Sequence, residues 1–226
     1  MNEHGDLERL LADSSAEQLA AVFRHLRSKM ELGQFHSFET SMNAKAEVIL
    51  EALSRAGALN VRAVRGVLSE ATFFSEVVVK LEGWSDETPV GDLSYDAALK
   101  DAVGTVRVQV KLQRREKGFP LIKNGGAMAE LQRTRNGKKG EADTRPYRFG
   151  EFDLLAVCME PSHKRWDSFM YLPARWLLPR TENDSLIKIM QPVALAPDEI
   201  WTNDFATAVE RLRGNNPRPI EGALFG

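Results

Sequence analysis

Cysteine is almost missing from this 226-residue chain: the single copy, Cys158, lies inside an apolar run and cannot form an intrachain disulfide. No apolar run approaches the roughly 18 residues that a membrane-crossing helix needs. The first residues, Met1-Asn2-Glu3-His4-Gly5-Asp6, have no basic flank and no apolar core, so the expectation is a soluble, cytoplasmic protein without a membrane partner. The histidines stand apart without ligand spacing, and no zinc site is expected. Clustered aromatics of the kind that stack unpaired bases are also missing, which disfavours RNA as a substrate.

What is present is a 43% hydrophobic content, enough for one sizeable core. The net charge of −2 hides an uneven distribution. Residues 111–148 hold eleven Lys or Arg against four Asp or Glu, a local +7, so the rest carries −9. Such a block points to a phosphate-bearing partner. Gly118, Pro120, Gly125, Gly126, Gly137 and Gly140 interrupt it, so a long loop is expected, with room for a short helix over 127–135.

Ser14-Ser15-Ala16-Glu17 reads as a capping box, followed by Leu19, Phe23, Leu26 and Met30 at helical spacing, so a helix is predicted over 15–31, with a shorter one over 6–12. A second helix over 41–56 places Ala46, Ile49, Leu50 and Leu53 on one stripe, stopped by Gly57, with Glu47 at the flank of that stripe. Residues 58–84 fit two short helices with a break near Ser69–Thr72, a pair that a helix-turn-helix would also produce. Downstream, 152–159 reads as a buried strand pairing with 166–172, then a short helix over 174–178, a last strand over 186–191, and a helix capped by Thr202 with Phe205, Val209 and Leu212 inward. The organisation predicted is a helical region over 1–40, a main domain over 41–213 with insertions at 58–84 and 112–148, and a loose tail over 214–226.

One stretch carries chemistry. Val106, Val108, Val110 and Leu112 alternate with Arg107, Gln109, Lys111 and Gln113, a strand with one apolar and one polar face. A preceding strand over 95–99 brings Asp96 alongside at a hairpin's distance, so an Asp, a Gln and a Lys converge. Tyr95-Asp96 followed by Val108-Gln109-Val110-Lys111 resembles the core of the PD-(D/E)XK nuclease superfamily in a variant with Gln at the acidic position. Glu47 resembles the acid that many of these nucleases hold on their first helix, and Phe152–Val157 with Trp166–Leu172 is similar to their next two strands. The resemblance covers roughly residues 44–178. It departs from the family in having no proline before Asp96 and Gln109 in place of the usual acid, which leaves the metal stoichiometry open.

The resemblance implies an α/β restriction-endonuclease-like fold, with a mixed central sheet flanked by helices, and a metal-dependent DNA endonuclease of restriction or phage defence. Phosphodiester hydrolysis needs an activated nucleophile and a stabilised leaving oxygen, which Mg²⁺ at a carboxylate supplies, with Mn²⁺ as a substitute. Asp96, Gln109 and Glu47 are then the expected ligands, and Lys111 the charge beside the attacking water. Arg114, Arg115, Lys123, Arg133, Arg135, Lys138, Lys139, Arg145 and Arg148 are expected to straddle the phosphates of double-stranded DNA. A homodimer would cut both strands, and a methyltransferase or a defence complex is a conceivable companion. Two rival readings stay open: a DNA-binding subunit on an inactive nuclease scaffold, and a Holliday-junction resolvase-like enzyme.

Overall fold

The computed structural model describes residues 37–132 and 146–214, together with 15, 18, 21, 138, 139, 142, 143, 216 and 217. The helix expected over 6–12, most of the one over 15–31 and most of the tail lie outside the described residues. Ser15 and Gln18 nevertheless exchange the two bonds of a capping box, Ser15 N–H to Gln18 Oε1 at 2.8 Å and Gln18 N–H to Ser15 Oγ at 3.2 Å, one position beyond the expected Ser14–Glu17 pair.

The chain divides into two compact units, Met1–Val61 and Arg62–Gly226. In the first, the single helix expected over 41–56 is two, α1 (Ser37–Met42) and α2 (Ala46–Ser54). Asn43 breaks them with a left-handed φ of 47°, which Asn tolerates better than most residues. The buried Glu39 carboxylate accepts the Ala46 N–H at 2.6 Å and so serves the start of α2. No residue of α2 is buried, and Val48 and Leu50 are exposed, so the expected inward stripe is not a core stripe.

α3 (Ala58–Thr72) crosses the unit boundary and continues as a π turn over Phe73–Val77 and a 3₁₀ turn over Val78–Lys80. The break predicted near Ser69–Thr72 does not occur. The hydroxyls of Ser69 and Thr72 bond back to the carbonyls of Gly66 and Leu68, at 2.7 and 2.8 Å, and so stay within the helix.

The second unit is built on strands β1 (Ser85–Asp86), β2 (Ala97–Lys100), β3 (Thr105–Leu112), β4 (Arg115–Glu116), β5 (Phe119–Pro120), β6 (Ile122–Lys123), β7 (Gly126–Glu130), β8 (Lys138–Lys139), β9 (Ala142–Asp143), β10 (Leu154–Cys158), β11 (Phe169–Pro173) and β12 (Met190–Val193). The short helix α4 (Glu160–His163) follows β10, and α5 (Phe205–Arg213) follows β12. The main sheet runs β1-β2-β3-β10-β11, with β3 and β10 parallel and the other pairs antiparallel, so it is mixed. The strand expected over 95–99 is shifted to 97–100, and that over 166–172 to 169–173.

Alternation within the strands separates two cores. Val106, Val108 and Val110 join Leu154, Ala156, Phe73, Phe205, Ala208 and Val209, which bring the end of α3 and the inner face of α5 onto one side of the sheet. Leu155, Val157, Met170 and Leu172 face Tyr147, Phe152, Trp176, Ile187 and Trp201 on the other, together with Ala127, Ala129 and Val193 of the second sheet β12-β7-β6. The fold is thus α/β, a mixed central sheet flanked by helices.

The helix expected over 127–135 is β7 over its first residues. Ala127 and Ala129 alternate inward, and the Asn124-Gly125 turn sends the chain back as a hairpin. The last strand is Met190–Val193 rather than 186–191, and the helix over 174–178 is one 3₁₀ turn, Ala174–Trp176. Asp204, not Thr202, caps α5, accepting the Thr207 N–H at 2.7 Å, because Thr202 is held by a two-way backbone bridge to Tyr171.

Candidate active site

β2 and β3 part company at Asp96. Ala97 is the last residue of β2 in register, opposite Val108, and the Asp96 N–H still donates to the Val108 carbonyl at 2.9 Å. Beyond that point Val110–Leu112 is paired within the main sheet only to β10. The fork leaves room for a carboxylate. Asp96 Oδ2 accepts the Val110 N–H at 2.7 Å and a hydrogen bond from Gln109 Nε2, which also donates to the Val110 carbonyl at 3.3 Å.

Period-two alternation puts Gln109 and Lys111 on the side of the strand away from the valines. Gln109 is only 1% exposed, while Lys111 is half-buried with its ammonium 5.6 Å from the centroid of the buried Tyr147 ring. Burial pushes the Asp96 carboxyl above its ordinary range, and the Lys111 charge, the Val110 N–H and Gln109 pull it back part of the way.

A second carboxylate shares this field. Glu70, half-buried near the end of α3, is pushed up to about 7, first by burial and then by the charge of Asp96, with Lys111 acting in the opposite sense. Sequence reasoning missed it, because the break predicted near Ser69–Thr72 left residue 70 at a helix end with no expected neighbour. The available signal was Phe73, one turn later, whose burial in the core sets the face of α3 that meets the sheet. Glu47, the acid expected to come from a helix, is exposed on α2 in the first unit.

The other polar residues of the β3 face are committed to structure. Arg107 donates from Nε and Nη2 to the two oxygens of Asp153 at 2.9 and 2.7 Å. Gln113 exchanges two bonds with Ser162, at 2.7 and 3.0 Å. Of the polar side chains on this face, Gln109 bonds Asp96 and Lys111 acts on it through its charge.

The basic residues are dispersed among several elements. Arg114 pairs with Glu130 at 3.1 Å, and Arg62 reaches the same carboxylate at 3.0 Å. Arg115 is half-buried on β4, and Lys123 is exposed on β6. Arg148 is exposed, with its backbone N–H bonded to Glu151 at 2.9 Å. Lys138 and Lys139 form β8, paired with β9, while Arg133, Arg135 and Arg145 lie outside the described residues. The segment expected to be a loop is thus hairpin and strand over much of its described length.

Among the described residues no group of three or more His, Cys, Asp or Glu is placed to hold a metal ion, and no helix is long and apolar enough to cross a membrane. No family model matches the chain, and no curated protein matches it. The chain is similar to the solved structure of a bacterial homing endonuclease, with 24% identity over 52% of this chain and 70% of that one and a TM-score of 0.33.

Proposed function

We infer that the protein is a Mg²⁺-dependent endonuclease that hydrolyses phosphodiester bonds in double-stranded DNA, on a fold of the restriction-endonuclease-like type. The observation that carries this reading is the fork between β2 and β3, where Asp96 is fixed by Gln109 and the Val110 N–H and lies in one electrostatic field with Lys111 and Glu70.

The donor set suits Mg²⁺. Two half-buried carboxylates whose proton affinity burial raises, Glu70 further raised by the charge of Asp96, with one lysine nearby, form a site that a hard divalent cation would relieve. Mg²⁺ takes oxygen ligands, keeps several waters and needs only one or two carboxylates besides the substrate's phosphate. Asp96 and Glu70 would hold it, and Gln109 would add an amide oxygen if its side-chain amide were rotated by half a turn. Bound there, the cation would supply charge stabilisation at the phosphoryl group and a coordinated water more acidic than bulk water.

The chain's own residues do the rest. Gln109 and the Val110 N–H fix the Asp96 carboxylate before substrate arrives, so little reorganisation accompanies the reaction. Lys111, braced over Tyr147, would set its ammonium beside the negative charge that accumulates on the phosphate. Burial of Gln109 and Tyr147 keeps the dielectric low and strengthens both effects.

The second reading, a DNA-binding subunit on an inactive scaffold, is favoured by Gln109 itself, because a neutral amide stands where a second strand carboxylate would bind metal more strongly. Incubating the purified protein with supercoiled plasmid and Mg²⁺, and in parallel with a chelator, separates the two. Nicked and linear products with Mg²⁺ alone are expected; intact plasmid with both Mg²⁺ and Mn²⁺ would overturn the nuclease reading.

A further inference from the structure

Directly after β3 the chain makes two tight hairpins in succession. β4 and β5 pair with Glu116 opposite Phe119, and β6 and β7 with Lys123 opposite Gly126. The connecting pairs, Lys117-Gly118 and Asn124-Gly125, all have positive φ (49°, 86°, 50° and 76°), the signature of type I′ turns. The hairpins are locked to each other, since Leu121 N–H donates to the Arg114 carbonyl at 2.8 Å, Arg114 N–H to Met128 at 2.7 Å and Met128 N–H to Leu121 at 3.1 Å. This is a rigid ribbon, not a floppy loop.

Its surface is unusual. Phe119 is 74% exposed and Ile122 43%, an aromatic and an aliphatic side chain standing in water on an element with little freedom to tuck them away. Around them Arg115, Lys117 and Lys123 outnumber the one acid, Glu116. Among the described residues Lys117 and Lys123 have no ion-pair partner, whereas Arg114, on the way in, is tied to Glu130. The strand that carries Gln109 and Lys111 leads straight into this ribbon, so whatever it touches is held in register with the fork.

We propose that the double hairpin over residues 115–126 enters a groove of duplex DNA, with Phe119 as an apolar wedge against a base step and Lys117 and Lys123 on the flanking phosphates. A two-stranded ribbon fits a groove, apolar wedges unstack and bend the duplex, and lysines beside the wedge anchor it through phosphates. The proposal rests on the reading of DNA as substrate, and adds the element that grips it.

The test measures binding without cleavage. A fluorescein-labelled duplex of random sequence, with a second dye at its far end, is titrated with protein in the presence of a chelator, reading anisotropy for affinity and energy transfer for bending. Phe119→Ala should abolish the bend and weaken affinity roughly tenfold, with the salt dependence unchanged, while Phe119→Leu keeps part of both. Lys117→Ala and Lys123→Ala should each flatten the slope of log affinity against log salt by about one unit. Unchanged melting temperatures would show all variants folded. Wild-type bending and binding in Phe119→Ala would overturn the proposal even if the wild type cuts plasmid. Conversely, a wild type that bends DNA through Phe119 yet stays inert with Mg²⁺ supports the hairpin and removes the nuclease.

Discussion

Glu70 differs from the chain's other glutamates in its neighbours rather than in its flanking sequence. Alternation along Val106–Leu112 made the Gln109–Lys111 face readable, because a period of two depends on nothing beyond the strand itself. The helix acid was not readable in the same way, since which carboxylate meets Asp96 depends on how α3 lies on the sheet. Gln109 is where the active and inactive readings diverge. Gln109→Ala removes the bond that orients Asp96, and plasmid cleavage should fall roughly 10- to 100-fold. Gln109→Glu is nearly the same size, and its rate-against-Mg²⁺ curve should retain measurable activity with a lower metal requirement. Cys158 makes a contrasting case. Burial pushes its thiol up to about 11, and its Sγ donates to the Trp166 carbonyl at 3.2 Å. Mass spectrometry after iodoacetamide treatment at neutral pH should find it unmodified in the native protein and alkylated in urea.

At the scale of elements, legibility followed locality. Strands with strict alternation were recognisable to within a few residues. Elements governed by turns were not: Asn124-Gly125 is a strong local hairpin signal, yet the segment was expected to be a long loop with a short helix over 127–135, and the turn chemistry prevailed. The helix over 58–72 was misread as broken because Ser and Thr serve equally at caps and inside helices. Within the second unit, the part of this helix from Arg62 onward is held by named pairs. Arg65 meets Glu160 in a half-buried ion pair and lies 5.1 Å over the Trp166 ring. Arg65→Ala leaves that carboxylate without its guanidinium and should cost roughly 1–3 kcal/mol in urea denaturation. Lysine should recover only part, since it lacks the planar fork and stacks less well. α5 is tied down separately by Arg213, whose two terminal nitrogens bond the Asp101 carboxylate at 2.6 and 2.7 Å. That pairing holds the Asp101 carboxyl well below its ordinary value of 3.8. A depressed folded value means stability present above about pH 4 and lost as the pH falls further. Asp101→Asn should therefore lower the melting temperature at pH 7, with the gap to wild type closing on acidification.

For the whole molecule, the expected α/β architecture is the observed one, because the alternating and continuous apolar runs already specified which strands were covered on one face or both. The +7 block was legible as charge but not as shape. Its described part is hairpins and short strands rather than an open loop. The proposed function has one central claim, that the fork between β2 and β3 is a catalytic centre in which Asp96 and Lys111 act together. It is tested most directly by plasmid cleavage under single-turnover conditions with saturating Mg²⁺, for wild type, Asp96→Ala and Lys111→Ala, each checked for unchanged melting and for retained binding to duplex DNA. The account predicts cutting by wild type and none measurable by either variant; wild-type rates in Asp96→Ala or Lys111→Ala would contradict it.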